Sequence, residues 1–320
     1  MPSLARRDTN IPSSVPLERE VCSIMAMEWA TPNNSKRQVN DAARKLLRPW
    51  REVGANTYLE ALDIVNNWRA SHSFPLNTFQ VYLRKRGRDV GGTCLVAQRI
   101  KRMSSIMAKL HRFPRMTLSQ MQDIGGCRAI LQTAQRVEQL CAIYEASRGL
   151  HEPQRRDDYI AAPRDSGYRG VRLIYRYQSK AKPEYNSLLI EIQLRTRLQH
   201  AWATAVETVG MFVGQALKSS LGEEEWLRFF ALMGTAIASF EDRPPVPNTP
   251  MQQNELVDEL RHHATMLDVI NRLEGYRTAL QVLGQQEEKT DHYFLIELDP
   301  TTNIVRLRGF RREESERATA

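Results

Sequence analysis

No run of apolar residues in this chain approaches the length needed to cross a bilayer, and its start, MPSLARRDTN, lacks the apolar centre of a secretion signal. A cytoplasmic chain with no membrane contact is the expectation. Cysteine is scarce: Cys22, Cys94, Cys127 and Cys141 form no C-x-x-C pair, and no histidines stand at a matching spacing. That argues against a disulfide framework or a zinc cluster and reads as reduced, mostly buried thiols. Internal repeats are absent as well.

What is there is enough apolar material, 42% of 320 residues, for one large or two modest domains with a hydrophobic core. The net charge of +8 is concentrated. Between Arg84 and Arg115 ten Lys or Arg stand against Asp89 alone, so this stretch carries +9, more than the whole chain. Such a concentration favours an anionic partner, a nucleoside triphosphate or a nucleic acid, although a solvated basic face has the same composition.

Residues up to about 35 are rich in Pro, Ser and Asn and read as a loose arm. Leu59, Leu62, Val65 and Trp68 give a helix over Thr57–Ala70; Pro75 interrupts, and Leu76–Arg88 resumes until Gly91 and Gly92. Val96, Ile100, Met103, Met107 and Leu110 repeat at steps of four and three, which predicts one amphipathic helix ended by Pro114. Short strands are expected at Cys127–Leu131, Val171–Tyr177 and Leu188–Thr196, and helices at Val137–Ser147 and from about Leu198. In the last strand Ile190, Ile192 and Leu194 alternate with Glu191, Gln193 and Arg195, so the polar three share one face. Trp226–Phe240 reads as helix, DRPPVPNTP (242–250) as a proline-rich linker, and Asn254–Gln285 as a long helical stretch. A terminal hairpin is expected from Tyr293–Leu298 and Ile304–Phe310 around a turn at 299–303.

Four groups of residues could carry chemistry. Lys101, Ser105 and Lys109 form a polar stripe with Arg99 beside it, suited to a triphosphate because Lys supplies a point charge and Arg a flat fork. Asp123, ahead of Gly125-Gly126-Cys127-Arg128, suits a magnesium ligand. Tyr168, between Gly167 and Gly170 and among the arginines 155, 156, 164, 169 and 172 (read as exposed), offers a platform for a base. Glu191 in EIQLRT, followed by His200 and Glu207, could share a metal with Asp123 or accept a proton from a hydroxyl. Each has an ordinary alternative: a solvent-facing basic stripe, a turn aspartate, a core tyrosine, an internal ion pair.

In order and spacing these motifs resemble the synthetase domain of the RelA/SpoT family. The matches are Arg99-x-Lys101-x-x-x-Ser105-Ile106-x-x-Lys109, then Asp123 with Arg128, then DYIAAPRDSGY, then EIQLRT with His200, Ala201 and Trp202, within roughly Arg84 to Gly210. The resemblance implies an α+β fold, a mixed β-sheet flanked by helices in a nucleotidyltransferase-like synthetase domain. It would occupy residues 81–215, with an arm and helices at 1–80, a helical extension with the linker at 216–290, and the hairpin and tail at 291–320. It further implies a small, stand-alone, Mg²⁺-dependent enzyme that moves pyrophosphate from ATP to the 3′-hydroxyl of GDP or GTP, making (p)ppGpp. Carried over residue by residue, Arg99 and Arg136 would sandwich adenine, with Lys101, Ser105 and Lys109 on the ATP phosphates. Asp123 and Glu191 would hold Mg²⁺, Glu191 would activate the hydroxyl, and Tyr168, Arg172, Gln193, Arg195 and His200 would hold the acceptor.

Two departures matter. Arg172 stands where the family often has His, and an arginine cannot shuttle a proton near neutral pH. The adjacent His-Asp and Glu-Asp pairs of the family's hydrolase half are missing, His262-His263 being the single histidine pair, so no alarmone hydrolysis is expected. The resemblance leaves a rival from its toxin-like members, which pyrophosphorylate the 3′ end of tRNA; the basic stretch suits a polyanion equally well. It also admits self-association and an antitoxin or regulatory partner, with the terminal hairpin as a built-in inhibitor. A non-enzymatic RNA-binding module is disfavoured by the carboxylates Asp123 and Glu191.

Overall fold

The computed structural model describes residues 29–147, 149–214, 217, 222–285, 292–299 and 304–311. The expected N-terminal arm falls largely outside them, as does most of the hairpin turn. Four helices open the chain: α1 (Lys36–Leu46), α2 (Trp50–Val53), α3 (Ala55–Ser71) and α4 (Ser73–Asp89). Ser35 starts α1 through a capping box, its hydroxyl accepting from the Gln38 amide while the Gln38 side chain accepts from the Ser35 amide. Pro75 does not interrupt a helix; it sits in the first turn of α4, where its missing N–H has no intrahelical partner to lose. The break falls one turn earlier, at His72.

The next segments build a five-stranded sheet in the order β1-β2-β5-β4-β3, from β1 (Leu95–Ile100), β2 (Gly125–Leu131), β3 (Glu152–Asp158), β4 (Val171–Arg176) and β5 (Leu189–Thr196). β2 and β5 run parallel and the other neighbours antiparallel, so the sheet is mixed. Between the strands lie α5 (Met103–Arg112) and α6 (Ala134–Ala146). β5 occupies the centre. Its Ile190, Ile192 and Leu194 are fully buried in a core shared with Leu76, Phe79 and Leu83 of α4 and Val137 and Leu140 of α6.

The opposite face of β5 presents Glu191, Gln193 and Arg195, as the period-two alternation predicts. Part of that face is covered by α7 (Arg197–Phe212), whose N-cap Thr196 closes a second capping box with Gln199. Beyond it come α8 (Glu224–Phe240), α9 (Gln253–Met266), α10 (Val269–Gln285) and an antiparallel pair, β6 (His292–Asp299) with β7 (Ile304–Arg311). A second apolar cluster joins Trp202 and Val206 of α7 to Trp226, Phe229 and Phe230 of α8, and to Leu267 and Val269 beyond.

Four expectations need correction. The stripe from Val96 to Leu110 is not one helix: Val96 and Ile100 lie in β1, and α5 begins at Met103. Apolar residues at every fourth position of an edge strand imitate helical spacing. β3 was not anticipated at all, because EPQRRDD has no apolar alternation; it is an exposed edge strand with an irregular register at Pro153. The long C-terminal helical stretch is two helices, turning at Asp268 with φ +48°. Finally, the proline-rich segment read as a linker is packed against α8. Val246 is buried, its amide donates to Thr235 Oγ1 at 2.9 Å, and Thr249 Oγ1 meets Thr235 Oγ1 at 2.7 Å.

Candidate active site

Strand pairing explains how residues distant in sequence meet. β1 runs antiparallel to β2, so the end of β1 lies beside the start of β2, and the Lys101 amide donates to the Ile124 carbonyl at 2.8 Å. Lys101 and Asp123 are thereby neighbours; Lys101 Nζ donates to Asp123 Oδ2 at 2.9 Å. α5 then returns Lys109, whose Nζ donates to Asp123 Oδ1 at 2.8 Å. The expected lysine stripe does converge, but through a strand end and a helix. Burial alone would raise the Asp123 carboxyl, and the Lys109 and Lys101 ammoniums outweigh it, holding the group below the usual carboxylate range.

Across the sheet, the register aligns Arg99, Gly126 and Glu191 in one row and Ala97, Arg128, Gln193, Arg172 and Asp157 in the next. Glu191 is buried; its Oε2 accepts from Gln193 Nε2 at 2.8 Å and its Oε1 lies 3.6 Å from Arg172 Nη1. Arg172 is held from the other side by Asp157 Oδ2, 2.8 Å from Nε and 2.6 Å from Nη2. Burial opposes its charge, but the Asp157 bonds and Glu191 more than compensate, so the guanidinium clings to its proton more firmly than usual. Arg128 shows the reverse: burial first, then the charges of Arg195 and Arg99, pull it down. Crowding three guanidiniums there makes that part of the cleft receptive to anions.

The remaining wall comes from the loop before β4. Tyr168 is half-buried, its hydroxyl accepts from Arg195 Nη2 at 2.7 Å, and its ring meets Tyr159 and Trp202 edge-on at 5.6 Å and 6.3 Å. The Arg164 guanidinium lies 4.4 Å from the Tyr159 ring centre and 5.9 Å from that of Tyr168. Arg195 Nε is buried without a hydrogen-bond partner among the described residues.

Together these groups line an open cleft of about 550 Å³, bounded by Lys101, Ser105 and Lys109 on one side and Tyr168, Arg172 and Arg195 on the other. That volume falls within the range of nucleotide-sized sites. A narrower lobe of about 150 Å³, lined by Leu95, Ala97, Arg128 and His200 among others, meets it at Arg99, Asp123, Glu191 and Gln193. Both carboxylates thus sit where the two cavities join.

Not every expected residue lies there. His200 lines the narrow lobe, away from Tyr168. Arg136 lines neither cavity; its guanidinium bonds Gln132 and rests against Gly92, because α6 starts at the far end of β2. Of the arginines read as exposed, Arg155, Arg156 and Arg164 are exposed, and Arg169 and Arg172 are not. Arg169 is buried, Arg172 and Arg155 share Asp157, and Arg156 pairs with Glu145 and Asp158. Asp157 was not foreseen, and Tyr159 entered only as part of the DYIAAPRDSGY match; only the β3–β4 register brings Asp157 opposite Arg172.

Residues 98–209 match the family model described as a region found in RelA / SpoT proteins. This stretch is a RelA/SpoT-type domain. Over 111 residues the chain is 32% identical to the GTP pyrophosphokinase YjbM of Bacillus subtilis (strain 168), the alignment covering 34% of this chain and 52% of that protein. The chain therefore spans about half the length of the curated relative it matches. Among solved structures it is similar to small alarmone synthetase 1 from Bacillus subtilis bound to its product pppGpp, at 22% identity over 52% of this chain and 88% of that one, with a TM-score of 0.46. Small alarmone synthetase 2 from the same organism gives 18% identity over 55% and 94%, with a TM-score of 0.48. The RelA/SpoT-type match begins in β1 and ends within α7, so it includes the sheet, both carboxylates and the Tyr168 loop but not α8.

Proposed function

We propose that this chain is a pyrophosphokinase that transfers a diphosphate from ATP to the 3′-hydroxyl of GDP or GTP. The observation that supports this best is the meeting of two cavities at Asp123 and Glu191, with lysines on one wall and a tyrosine among arginines on the other. Such an arrangement suits two polyanionic substrates brought end to end over a pair of carboxylates. The match of residues 98–209 to the RelA / SpoT model, and the likeness of 111 residues to a named GTP pyrophosphokinase, support the same reading.

Among the described residues no group of three His, Cys, Asp or Glu could hold a metal by itself. Two carboxylates at one junction do suit Mg²⁺, which typically takes one or two protein carboxylates and completes its shell from phosphate and water. Asp123 and Glu191 are the residues that would hold it, and when bound it would neutralise charge building on the phosphates. The rest falls to the chain. Lys101 and Lys109 exchange Asp123 for ATP phosphates, and Arg99 flanks the adenine at the narrow lobe. Tyr168 stacks on the guanine, Arg195 and Arg172 hold acceptor phosphates, and Glu191 accepts the proton of the attacking hydroxyl. Attack falls at the β-phosphorus, the bond between the α- and β-phosphates breaks, and AMP leaves. Positioning and charge neutralisation supply most of the rate.

The tRNA reading loses the buried Arg169 and the partly buried Arg172 as surface for a long polyanion, while Arg155, Arg156 and Arg164 stay exposed and available to it. A transfer assay separates the two. Purified protein, Mg²⁺ and ATP labelled in its terminal phosphates are offered GDP, GTP and deacylated tRNA separately. Label on GDP or GTP is the expected result; label on tRNA alone would overturn the acceptor assignment.

A further inference from the structure

The loop that carries Tyr168 belongs as much to the C-terminal helices as to the sheet. Its ring packs on one side against the second apolar cluster, whose centre is Trp202, Trp226 and Phe230, while the Arg195 guanidinium lies 5.0 Å from its centre on the cleft side and bonds its hydroxyl. Trp202, the ring it meets, is fixed by donating from Nε1 to the Phe230 carbonyl of α8 at 2.9 Å.

The backbones themselves touch. Gly167 has φ +86°, and a Cβ there would stand 2.6 Å from the Phe230 carbonyl oxygen and 3.1 Å from Ala231 Cα. On the facing helix, a Cβ at Gly234 would stand 2.8 Å from both Cα and O of Gly167. Glycine meets glycine, so the loop lies on α8 with no side chain between them, a closeness that only hydrogen at both positions permits.

Next to Tyr168, Arg169 points the other way and is 2% exposed. Its guanidinium donates to three main-chain carbonyls: Ile160 in its own loop at 3.2 Å, Gly234 of α8 at 3.3 Å, and Pro244 of the proline-rich segment. Burying a guanidinium is costly unless its donors are met, and a rigid five-donor fork can tie several carbonyls at once where an ammonium cannot. Consecutive residues therefore face opposite ways, one toward the cleft and one into a clasp formed by three chain segments.

We propose that α8 and the segment 241–250 brace the acceptor wall of the cleft from behind, and that Arg169 is a positioning residue that sets Tyr168 through them. This rests on the reading of Tyr168 as the acceptor's stacking partner and extends the site beyond the RelA/SpoT-type stretch. A clasp of this kind acts on one substrate only, since Lys101, Lys109 and Arg99 stand on other elements.

The test uses the full chain with Arg169→Lys and Gly234→Ala, and Gly275→Ala as control, since a Cβ at Gly275 meets nothing within 4 Å. Steady-state constants for ATP and for the guanine nucleotide are measured separately, with ATP binding also measured directly. The expected result is a rise of about ten-fold in acceptor KM for both variants, ATP affinity unchanged, and the control at wild-type values. Loss of ATP and acceptor affinity in parallel, or no change in either, would overturn the proposal. A fluorotyrosine label at position 168, read by ¹⁹F NMR in the same variants, is independent of which acceptor is used. A shifted resonance supports the clasp even if the guanine acceptor proves wrong, whereas an unshifted one in both variants rejects it.

Discussion

Asp123 and Lys109 are bonded on the wall of the cleft, Nζ to Oδ1 at 2.8 Å, and Lys101 takes the other carboxylate oxygen at 2.9 Å. Both oxygens that would face a metal are thus held by the two ammoniums that would face phosphate. On the proposed function, nucleotide phosphates would draw the lysines off, and the freed carboxylate would be available to hold a cation. Metal and nucleotide should therefore bind as linked events.

The first prediction concerns this clamp. Asp123→Asn should remove transfer activity by at least about a hundred-fold and weaken the dependence of ATP binding on Mg²⁺, while the chain stays folded. Losing two charge-assisted bonds at a site whose side chain is 17% exposed should cost about 2 kcal/mol in denaturant unfolding. The pH sign follows from the depressed carboxyl. Asp123 favours the folded state fully above the ordinary carboxylate value, and the contribution is lost as pH falls through its lower folded value. Titration of wild type and Asp123→Asn below about pH 4 should therefore show the larger loss in wild type.

Much of this site was legible before the fold was known, and its omissions have physical causes. EIQLRT declared its two faces because β5 is central and apolar on one side. Lys101, Lys109 and Asp123 were legible as residues but not as a geometry: the helical spacing from Val96 to Leu110 concealed a strand, and only β1–β2 pairing joins 101 to 123. Asp157 was invisible because a charged edge strand carries no periodic apolar signal. Arg169 was misjudged for a different reason. Nothing local distinguishes a buried arginine from an exposed one when its partners, Gly234 and Pro244, are main-chain carbonyls more than sixty residues away.

The second prediction addresses the residue that departs from the family pattern. Arg172 bridges Asp157 and Glu191 with two edges of one guanidinium, a geometry an ammonium cannot copy. Arg172→Lys should therefore lose about ten-fold in kcat/KM, and Arg172→Ala about a hundred-fold or more because it leaves buried Glu191 short of a cation. Equal, wild-type rates in both would show that the bridge has no part in transfer.

A third prediction tests the seam between α7 and α8. Glu241 accepts from Gln199 Nε2 at 2.7 Å and from Thr196 Oγ1, the two residues of the α7 capping box. Glu241→Ala should lower stability by about 1 kcal/mol, as for loss of a helix cap. Because Thr196 follows Arg195 directly, acceptor KM should rise while ATP affinity holds; thermal unfolding with paired substrate titrations checks both.

The last prediction is a pH dependence set behind the cleft. His72 lies at the break between α3 and α4, is 1% exposed, and donates from Nδ1 to the Trp68 carbonyl at 2.7 Å. A Cβ at Gly125, the first residue of β2, would stand 3.3 Å from His72 Cβ, so the imidazole backs the strand that follows Asp123. Burial pulls its pKa from the usual 6.5 to about 4, the Trp68 hydrogen bond opposing only in part. Between those values the unfolded chain binds a proton that the folded chain refuses. The contribution of neutral His72 is therefore complete above about pH 6.5 and is withdrawn as pH falls toward about 4, by about 3 kcal/mol in all. Urea unfolding at intervals from about pH 7 to about pH 4.5 should show this slope in wild type. Asn at position 72 can still donate to the Trp68 carbonyl but has no proton to gain. His72→Asn should thus start less stable at neutral pH and lose less on acidification, and parallel curves for the two proteins would assign the acid sensitivity to other groups.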